Sequence, residues 1–256
     1  MGATVTVRGV QLGSGRPEII VPLTGAQEQA VLDQAAAAAG TAARILEWRT
    51  DLYAPHFGTV EHRDAVRALL PQLRESIGEE HCLLVTLRTA AEGGGRALTD
   101  HELGDLLEAV VSSGHADMVD VETSRDPEVV QRVVRAAQQH GAVVVGSFHD
   151  FGATPGEDEL VALLQAQRRM GVDVPKVAVM PQHPQDVLRL LAASTRVAAA
   201  QEGPHIAISM GSLGAVSRVA AEAFGSAATF ASSGEGSAPG QLSVEDVEWM
   251  LHLLRI

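Results

Sequence analysis

The 256-residue sequence predicts an α/β protein in which eight parallel strands close into a (β/α)8 barrel, the TIM-barrel architecture. Short apolar, β-branched runs alternate eight times with longer segments rich in Ala, Leu, Arg and Glu, which is the order of strands and helices in such barrels. The runs are apolar almost throughout, as is typical of strands buried on both faces. A doubly wound open sheet is the alternative, but no G-x-G-x-x-G motif follows the first run.

Each predicted strand is paired with the helix that follows it. The strands fall at residues 18–23, 43–49, 82–88, 117–122, 142–150, 176–181, 205–211 and 227–232. The helices fall at residues 26–40, 60–78, 99–113, 126–140, 156–170, 184–199, 214–224 and 243–254. Thr99 and Glu102 have the spacing of a capping box, and Pro127 and Pro184 suit a first helical turn.

An additional alternating stretch at residues 4–12 precedes the first barrel strand. The alternation of its apolar and polar residues, with a period of two, predicts a β-hairpin. We expect this hairpin to close the floor of the barrel. No linker long enough to separate a second domain follows it. We therefore expect a single catalytic domain over residues 1–256.

Composition excludes several classes of protein and partner. The 32 Asp and Glu residues outnumber the 19 Lys and Arg residues and give a net charge of −13, which repels nucleic-acid phosphates. The apolar runs are far shorter than the ~18 residues that cross a bilayer. The first ten residues lack the basic start and long apolar core of a signal peptide, and the single Cys82 cannot form an internal disulfide, so we expect a cytoplasmic protein that binds a small molecule. Without H-E-x-x-H or C-x-x-C motifs, no catalytic metal is predicted.

Polar side chains interrupt the apolar runs mainly where the strands end. In a barrel of this kind, the carboxyl ends of the strands meet at one mouth and carry the chemistry. Three arginines at that mouth favour an anionic substrate, because guanidinium groups pair with carboxylates. The candidates are Glu47, Arg49, Arg88, Glu92, Asp120, Glu122, His149, Met210 and Arg218.

Lys176 is the only lysine among the 19 cationic residues, and it opens the sixth predicted strand. An ammonium group inside a barrel is costly to desolvate, which favours the neutral amine that attacks carbonyl substrates to form a Schiff base. In a chain that otherwise uses arginine, the remaining lysine marks a position where arginine cannot substitute. The alternative is a surface lysine retained by chance.

His149 ends the strand before Lys176, and this position favours a role as general acid and base over a structural one. Asp120 and Glu122 either orient His149 or neutralise arginines inside the barrel, and the sequence leaves both possibilities open. The loop at residues 234–241 has the composition of a lid over the mouth or of an ordinary surface turn.

Several motifs occur together in barrel order, and the sequence resembles the type I 3-dehydroquinate dehydratases from its first predicted strand to its last helix. The motifs are EWRTD (47–51), LRTAAEGG (87–94), SFHDF (147–151), KVAVMP (176–181), SMGSLGAVSR (209–218), FGSAATF (224–230) and SAPGQ (237–241).

The resemblance implies dehydration of 3-dehydroquinate to 3-dehydroshikimate, a step of the shikimate pathway of aromatic amino-acid biosynthesis, without metal or cofactor. Lys176 would form an imine with the C3 ketone and so acidify the C2 proton. His149 would remove that proton and return one to the departing C1 hydroxyl in a syn elimination, while Glu92 would position the histidine.

The resemblance also implies a homodimer and a set of substrate-binding residues. Arg218 would bind the substrate carboxylate, and the remaining binding residues would be Glu47, Arg49, Arg88, Met210, Ser237 and Gln241. The sequence departs from the family pattern at Pro22, Phe148 and Ala221, which affects substrate contacts or packing rather than the imine chemistry. The alternatives are a class I Schiff-base aldolase, which needs a phosphate site near the last two strands, and a catalytically silent metabolite-binding barrel.

Overall fold

The computed structural model describes residues 3–55, 60–95, 97–234 and 241–255 and confirms the predicted barrel. Eight parallel strands pair in chain order around the barrel, except that the last strand in the chain pairs with the first and not with the strand before it. The amide of Ala227 donates a hydrogen bond of 2.8 Å to the carbonyl of His205 and links the two ends of the sheet, so the barrel is nearly closed. The strands are β3 (Glu18–Leu23), β4 (Ile45–Arg49), β5 (Cys82–Thr86), β6 (Met118–Glu122), β7 (Val143–Asp150), β8 (Val174–Val179), β9 (Ile206–Ser209) and β10 (Ala228–Phe230).

The helices alternate with these strands, and the predicted start signals are present. The Thr99 hydroxyl accepts a hydrogen bond from the Glu102 amide while the Glu102 carboxylate accepts one from the Thr99 amide, which confirms the capping box. Pro127 and Pro184 are first helical residues. The helices are α1 (Glu28–Ala39), α2 (Val60–Ile77), α3 (Asp100–Ser112), α4 (Pro127–His140), α5 (Glu157–Arg169), α6 (Pro184–Ala200), α7 (Val216–Val219) and α8 (Val244–Leu253).

The prediction of a long seventh helix at 214–224 was wrong, because α7 has only 4 residues. The Ser217 hydroxyl accepts a hydrogen bond from the Ser209 amide and donates one to the Gly214 carbonyl, which fastens the segment to the end of β9. Gly214 is so close to this strand that an added Cβ would lie 2.3 Å from the Ser209 carbonyl oxygen. A tight turn therefore replaces the start of the helix and directs Arg218 into the barrel.

The predicted hairpin is present, formed by β1 (Val5–Val7) and β2 (Val10–Leu12). Both turn residues have positive φ, 44° at Arg8 and 72° at Gly9, as a two-residue turn that matches strand twist requires. Val10 and Leu12 pack among the side chains inside the barrel. The Cys82 thiol at the start of β5 contacts the Val7 carbonyl at 3.2 Å. The hairpin thus closes the amino-terminal end of the barrel.

The hydrophobic core has an inner and an outer part. The inner part fills the barrel and contains Ile20, Ile45, Leu84 and Met118 together with the hairpin residues. The outer part lies between the strands and the surrounding helices. No helix in the described ranges has the length and hydropathy needed to cross a membrane.

Candidate active site

A cavity of about 270 Å³ opens at the carboxyl ends of the strands. This volume suits a single small metabolite. Ten residues were predicted to have a catalytic or substrate-binding role; the structure brings nine of them to the wall of the cavity, and the tenth, Ser237, lies outside the described residues. The nine are Glu47, Arg49, Arg88, Glu92, His149, Lys176, Met210, Arg218 and Gln241.

Lys176 is the third residue of β8 rather than its first, and only 4% of it is exposed. Its backbone is fixed by the buried Gln167 of α5, whose side chain accepts from the Lys176 amide at 3.0 Å and donates to its carbonyl at 3.1 Å. The ammonium nitrogen Nζ lies 3.1 Å from Asp120 Oδ2, 4.0 Å from Glu47 Oε1 and 4.7 Å from the centre of the Phe230 ring. A carboxylate therefore pairs with the buried lysine, a contact that was not predicted from the sequence.

His149 lies near the end of β7 and pairs with Glu92. The ring nitrogen Nδ1 of His149 is 2.9 Å from Glu92 Oε2, and the His149 amide donates to the same oxygen at 3.1 Å. The Ser124 hydroxyl donates to the other carboxylate oxygen. When Glu92 is ionised, it holds the proton of His149 on Nδ1 and leaves Nε2 as the basic nitrogen. Glu92 is thus hydrogen-bonded to both the ring and the backbone of His149.

Burial changes the acidity of both members of this pair. Burial raises the pKa of Glu92 to about 7, although Arg88 opposes the rise. Burial also lowers the pKa of His149 well below its usual value, and the positive charges of Arg88, Lys176 and Arg49 lower it further. A neutral imidazole at neutral pH is the form that can accept a proton from substrate.

The structure answers the question of what Asp120 and Glu122 do, because both carboxylates pair with Arg88. Arg88 Nη2 donates to Asp120 Oδ1 at 2.8 Å, and Nη1 donates to Glu122 Oε1 at 3.1 Å and to Ser147 Oγ at 2.9 Å. Thr89 donates to Glu122 through both its amide and its hydroxyl. Burial opposes ionisation of Asp120, but Arg88 and Lys176 outweigh it and lower the pKa of that carboxyl to about 2.

Arg218 differs from the other two arginines of the cavity. Arg49 makes two hydrogen bonds to Asp51, at 2.8 and 2.7 Å, and Arg88 is neutralised by its acidic neighbours. Arg218 is 2% exposed, and within the described ranges no carboxylate pairs with it and its Nε has no hydrogen-bond partner. Burial lowers its pKa to about 10, so it remains cationic at neutral pH. A buried guanidinium without a counter-ion is a binding site for an anion.

Sequence reasoning missed several residues that build this site. Phe230 and Thr86 line the cavity beside Lys176, Gln167 fixes the lysine backbone, and Ser124 and Ser147 hold the carboxylates. A strand-end position would have indicated Phe230 and Thr86. No local signal distinguishes Gln167, which lies within an ordinary helical pattern.

Comparison with known proteins agrees with this geometry. The family model described as type I 3-dehydroquinase matches residues 19–256. The 3-dehydroquinate dehydratase of Salmonella typhimurium is 42% identical over 252 residues, which cover 98% of each protein. The enzyme of the same name from Clostridium kluyveri is 38% identical over 256 residues, with 99% of this chain and 98% of the relative covered.

Solved structures show the same similarity. The type I 3-dehydroquinate dehydratase from Clostridium difficile has a TM-score of 0.94 at 35% identity, with 99% of this chain and 98% of that chain covered. The 3-dehydroquinate dehydratase from Geobacillus kaustophilus has a TM-score of 0.93 at 35% identity, with 100% and 98% covered. The family match spans nearly all of this sequence, and the relatives align along their whole length. The chain therefore belongs to the type I 3-dehydroquinase family and is an enzyme of that family.

Proposed function

We propose that this enzyme dehydrates 3-dehydroquinate to 3-dehydroshikimate through an imine on Lys176. The observation that carries the proposal is the placement of three groups on one cavity wall: a buried lysine, a buried histidine hydrogen-bonded to Glu92, and a buried arginine for which the described residues provide no counter-ion. These are a nucleophile for a ketone, a base for a neighbouring proton and a site for a carboxylate. Family membership favours this reading over the aldolase and the silent barrel.

The proposed reaction begins when the Lys176 amine adds to the C3 carbonyl carbon. The new C–N bond replaces the C=O bond, the oxygen leaves as water, and an iminium remains. His149 Nε2 removes the C2 proton, and the electron pair of that bond moves through C3 to nitrogen, which gives an enamine.

The imidazolium next donates its proton to the C1 hydroxyl. The hydroxyl leaves as water while the enamine electrons return to form the C1=C2 double bond, which restores the iminium. Hydrolysis of the iminium releases the unsaturated ketone and the lysine. One proton is taken and one is returned, so a single histidine suffices and no oxidant or reductant is consumed.

The remaining cavity residues would hold the ring and its substituents. Glu47, Arg49, Arg88 and Gln241 would offer hydrogen-bonding groups to the ring hydroxyls and the ketone region, and Met210 would pack against the ring. Ser237, by the family resemblance, would contribute a further hydroxyl contact.

Reduction in the presence of 3-dehydroquinate tests the proposal directly. Borohydride should add the mass of a ligand to the peptide that contains Lys176. Because the chain has one lysine, an adduct on a lysine side chain must lie on Lys176. Turnover without any adduct would contradict the imine. Strong competition by inorganic phosphate would favour the aldolase, and binding without the ultraviolet absorbance of a conjugated product would favour the silent barrel.

Replacement of Arg218 by Met should weaken substrate binding more than it slows the chemical step. Because loss of one partner from a buried charged pair costs about 2–5 kcal/mol, we expect KM to rise about 100-fold or more. Steady-state kinetics would measure this change. Arg218→Lys is the matched control, because it retains the charge and should recover part of the loss. An unchanged KM in Arg218→Met would show that the carboxylate binds elsewhere.

The acidity of Glu92 predicts how the rate depends on pH. A protonated Glu92 no longer holds the His149 proton on Nδ1, so kcat/KM should rise as pH increases through about 7, the pKa of Glu92. In Glu92→Gln the carboxyl that titrates is absent. The acid limb of the kcat/KM profile should therefore move to lower pH, because the pKa of His149 lies well below its usual value. A pH profile of kcat/KM for both proteins measures the shift. If the acid limbs of the native and Glu92→Gln profiles coincided, Glu92 would not be the group that titrates near pH 7.

We also propose that the enzyme is a homodimer, which the family resemblance implies. Trp249 and Leu253 are exposed on α8, and Val216 is exposed on α7, which contacts α8. Light scattering should then give a mass twice that of the 26.8 kDa chain, reduced to one chain by Trp249→Glu. A monomeric native protein would contradict the proposal.

A further inference from the structure

We propose that Asp120 is a positioning residue that serves as the counter-ion of the nitrogen on Lys176 throughout the reaction and keeps the imine in its protonated form. The inference rests on the proposed function, and it assigns a role to a buried carboxylate that the substrate-binding residues do not explain.

The geometry of Asp120 suits a fixed counter-ion. It is the third residue of β6 and is 1% exposed. Arg88 and the Ser147 hydroxyl both donate to Oδ1, at 2.8 and 2.6 Å. Oδ2 is thereby directed to Lys176 Nζ at 3.1 Å. The carboxylate is held from one side and presents its second oxygen to the reacting nitrogen.

Charged groups on several other strands also face this part of the cavity. Glu47 of β4 is farther from Nζ, at 4.0 Å, and accepts a hydrogen bond from Thr86. His149 of β7 is neutral at neutral pH, and Arg49, Arg88 and Arg218 carry positive charge. Among the residues that the structure describes, Asp120 is therefore the anion nearest to the nitrogen. Because Arg88 keeps it ionised, Asp120 acts as a charge and not as the base that takes the lysine proton.

The nitrogen that pairs with Asp120 in the free enzyme is the same atom that becomes the imine. Only the protonated imine withdraws electrons strongly enough to acidify the C2 proton, whereas the neutral imine is a weak electron sink. A carboxylate about 3 Å away stabilises the protonated form. The same charge also stabilises the ammonium, so Asp120 should slow the first attack on the ketone while it supports the elimination.

Asp120→Asn tests the inference, since it retains the shape of the side chain and removes the charge. Cyanoborohydride, which reduces the protonated imine selectively, would trap the Lys176 adduct of 3-dehydroquinate across neutral and alkaline pH, with detection by mass spectrometry. The midpoint at which the adduct disappears should move to lower pH by about one pH unit or more. The alkaline limb of kcat should move in the same direction.

Glu122→Gln is the matched control. It also removes a buried carboxylate from Arg88, but it leaves the pairing of Asp120 with Lys176 in place, so its midpoint should equal that of the native enzyme. If Asp120→Asn does not fold, Ser147→Ala is used instead. That variant removes the hydroxyl that fixes Asp120 and should shift the pH midpoint of adduct formation in the same direction.

The outcomes separate this inference from the proposed function. If the native enzyme gives no adduct, the imine mechanism itself fails. If the native enzyme gives an adduct but the pH midpoint of adduct formation is unchanged in Asp120→Asn, the counter-ion role is overturned and the imine mechanism stands. The same conclusion follows from an unchanged midpoint in Ser147→Ala, if Asp120→Asn does not fold. A shift of the same size in Glu122→Gln would also overturn it, because the effect would then come from Arg88.

Discussion

Replacing Lys176 with arginine should leave a folded protein whose turnover falls by about 10⁴-fold or more, the order of loss seen when a nucleophile is removed from a covalent enzyme. Arginine retains the positive charge beside Asp120, so the ion pair inside the barrel persists. A guanidinium group cannot form the imine. Measurement of kcat together with the unfolding temperature separates chemistry from stability.

Two outcomes would contradict this expectation. Near-native turnover by Lys176→Arg would show that the lysine supplies only charge. A protein that fails to fold would show that the longer side chain does not fit, and Lys176→Met, with a similar unbranched shape, then serves as the second variant. Asp120 loses its partner in that variant, so some stability should be lost together with the activity.

Replacing His149 with asparagine should lower kcat by about 10²–10⁴-fold, the usual contribution of a positioned general acid and base. The asparagine amide can still donate to Glu92, so the loop that carries this carboxylate keeps its contact. Imine formation does not require removal of the C2 proton. Borohydride should therefore still label Lys176, and the trapped species should be the substrate adduct, which is heavier by one water than the product adduct.

This second prediction distinguishes the roles of the two residues. A His149→Asn protein that turns over at the native rate would exclude the histidine as the base. A protein that traps only the product adduct would place the slow step after elimination. Lys176→Arg, which gives no adduct at all, is the reference for this comparison.

The positions of the elements were largely predictable because strand and helix patterns are local. The barrel strands begin and end within two residues of the predicted bounds. The seventh helix was the exception, since the hydrogen bond that the Ser209 amide donates to the Ser217 hydroxyl depends on how the chain returns to β9. Local pattern carries no information about such a contact.

The members of the site were also predictable, but their pairing was not. Arg88 was identified by its position at a strand end, Arg218 by its position beyond the seventh predicted strand, and Lys176 as the only lysine of the sequence. Which arginine lacks a carboxylate partner among the described residues depends on the register between β5 and β6, which sets Asp120 and Glu122 beside Arg88. Lys176 and Asp120 are 56 positions apart in sequence, so their ion pair follows only from the closed barrel.

The hairpin beneath the barrel also affects how molecules reach and leave Lys176. Val10 and Leu12 fill the amino-terminal end, so the cavity above them is open towards the carboxyl-end mouth. Substrate must enter through that mouth. The water released when the imine forms and the water released by elimination must depart through the same opening, past a ring that is still attached to the lysine. A substituent that seals the mouth around the bound ring should therefore hold the released water beside the imine and favour its hydrolysis.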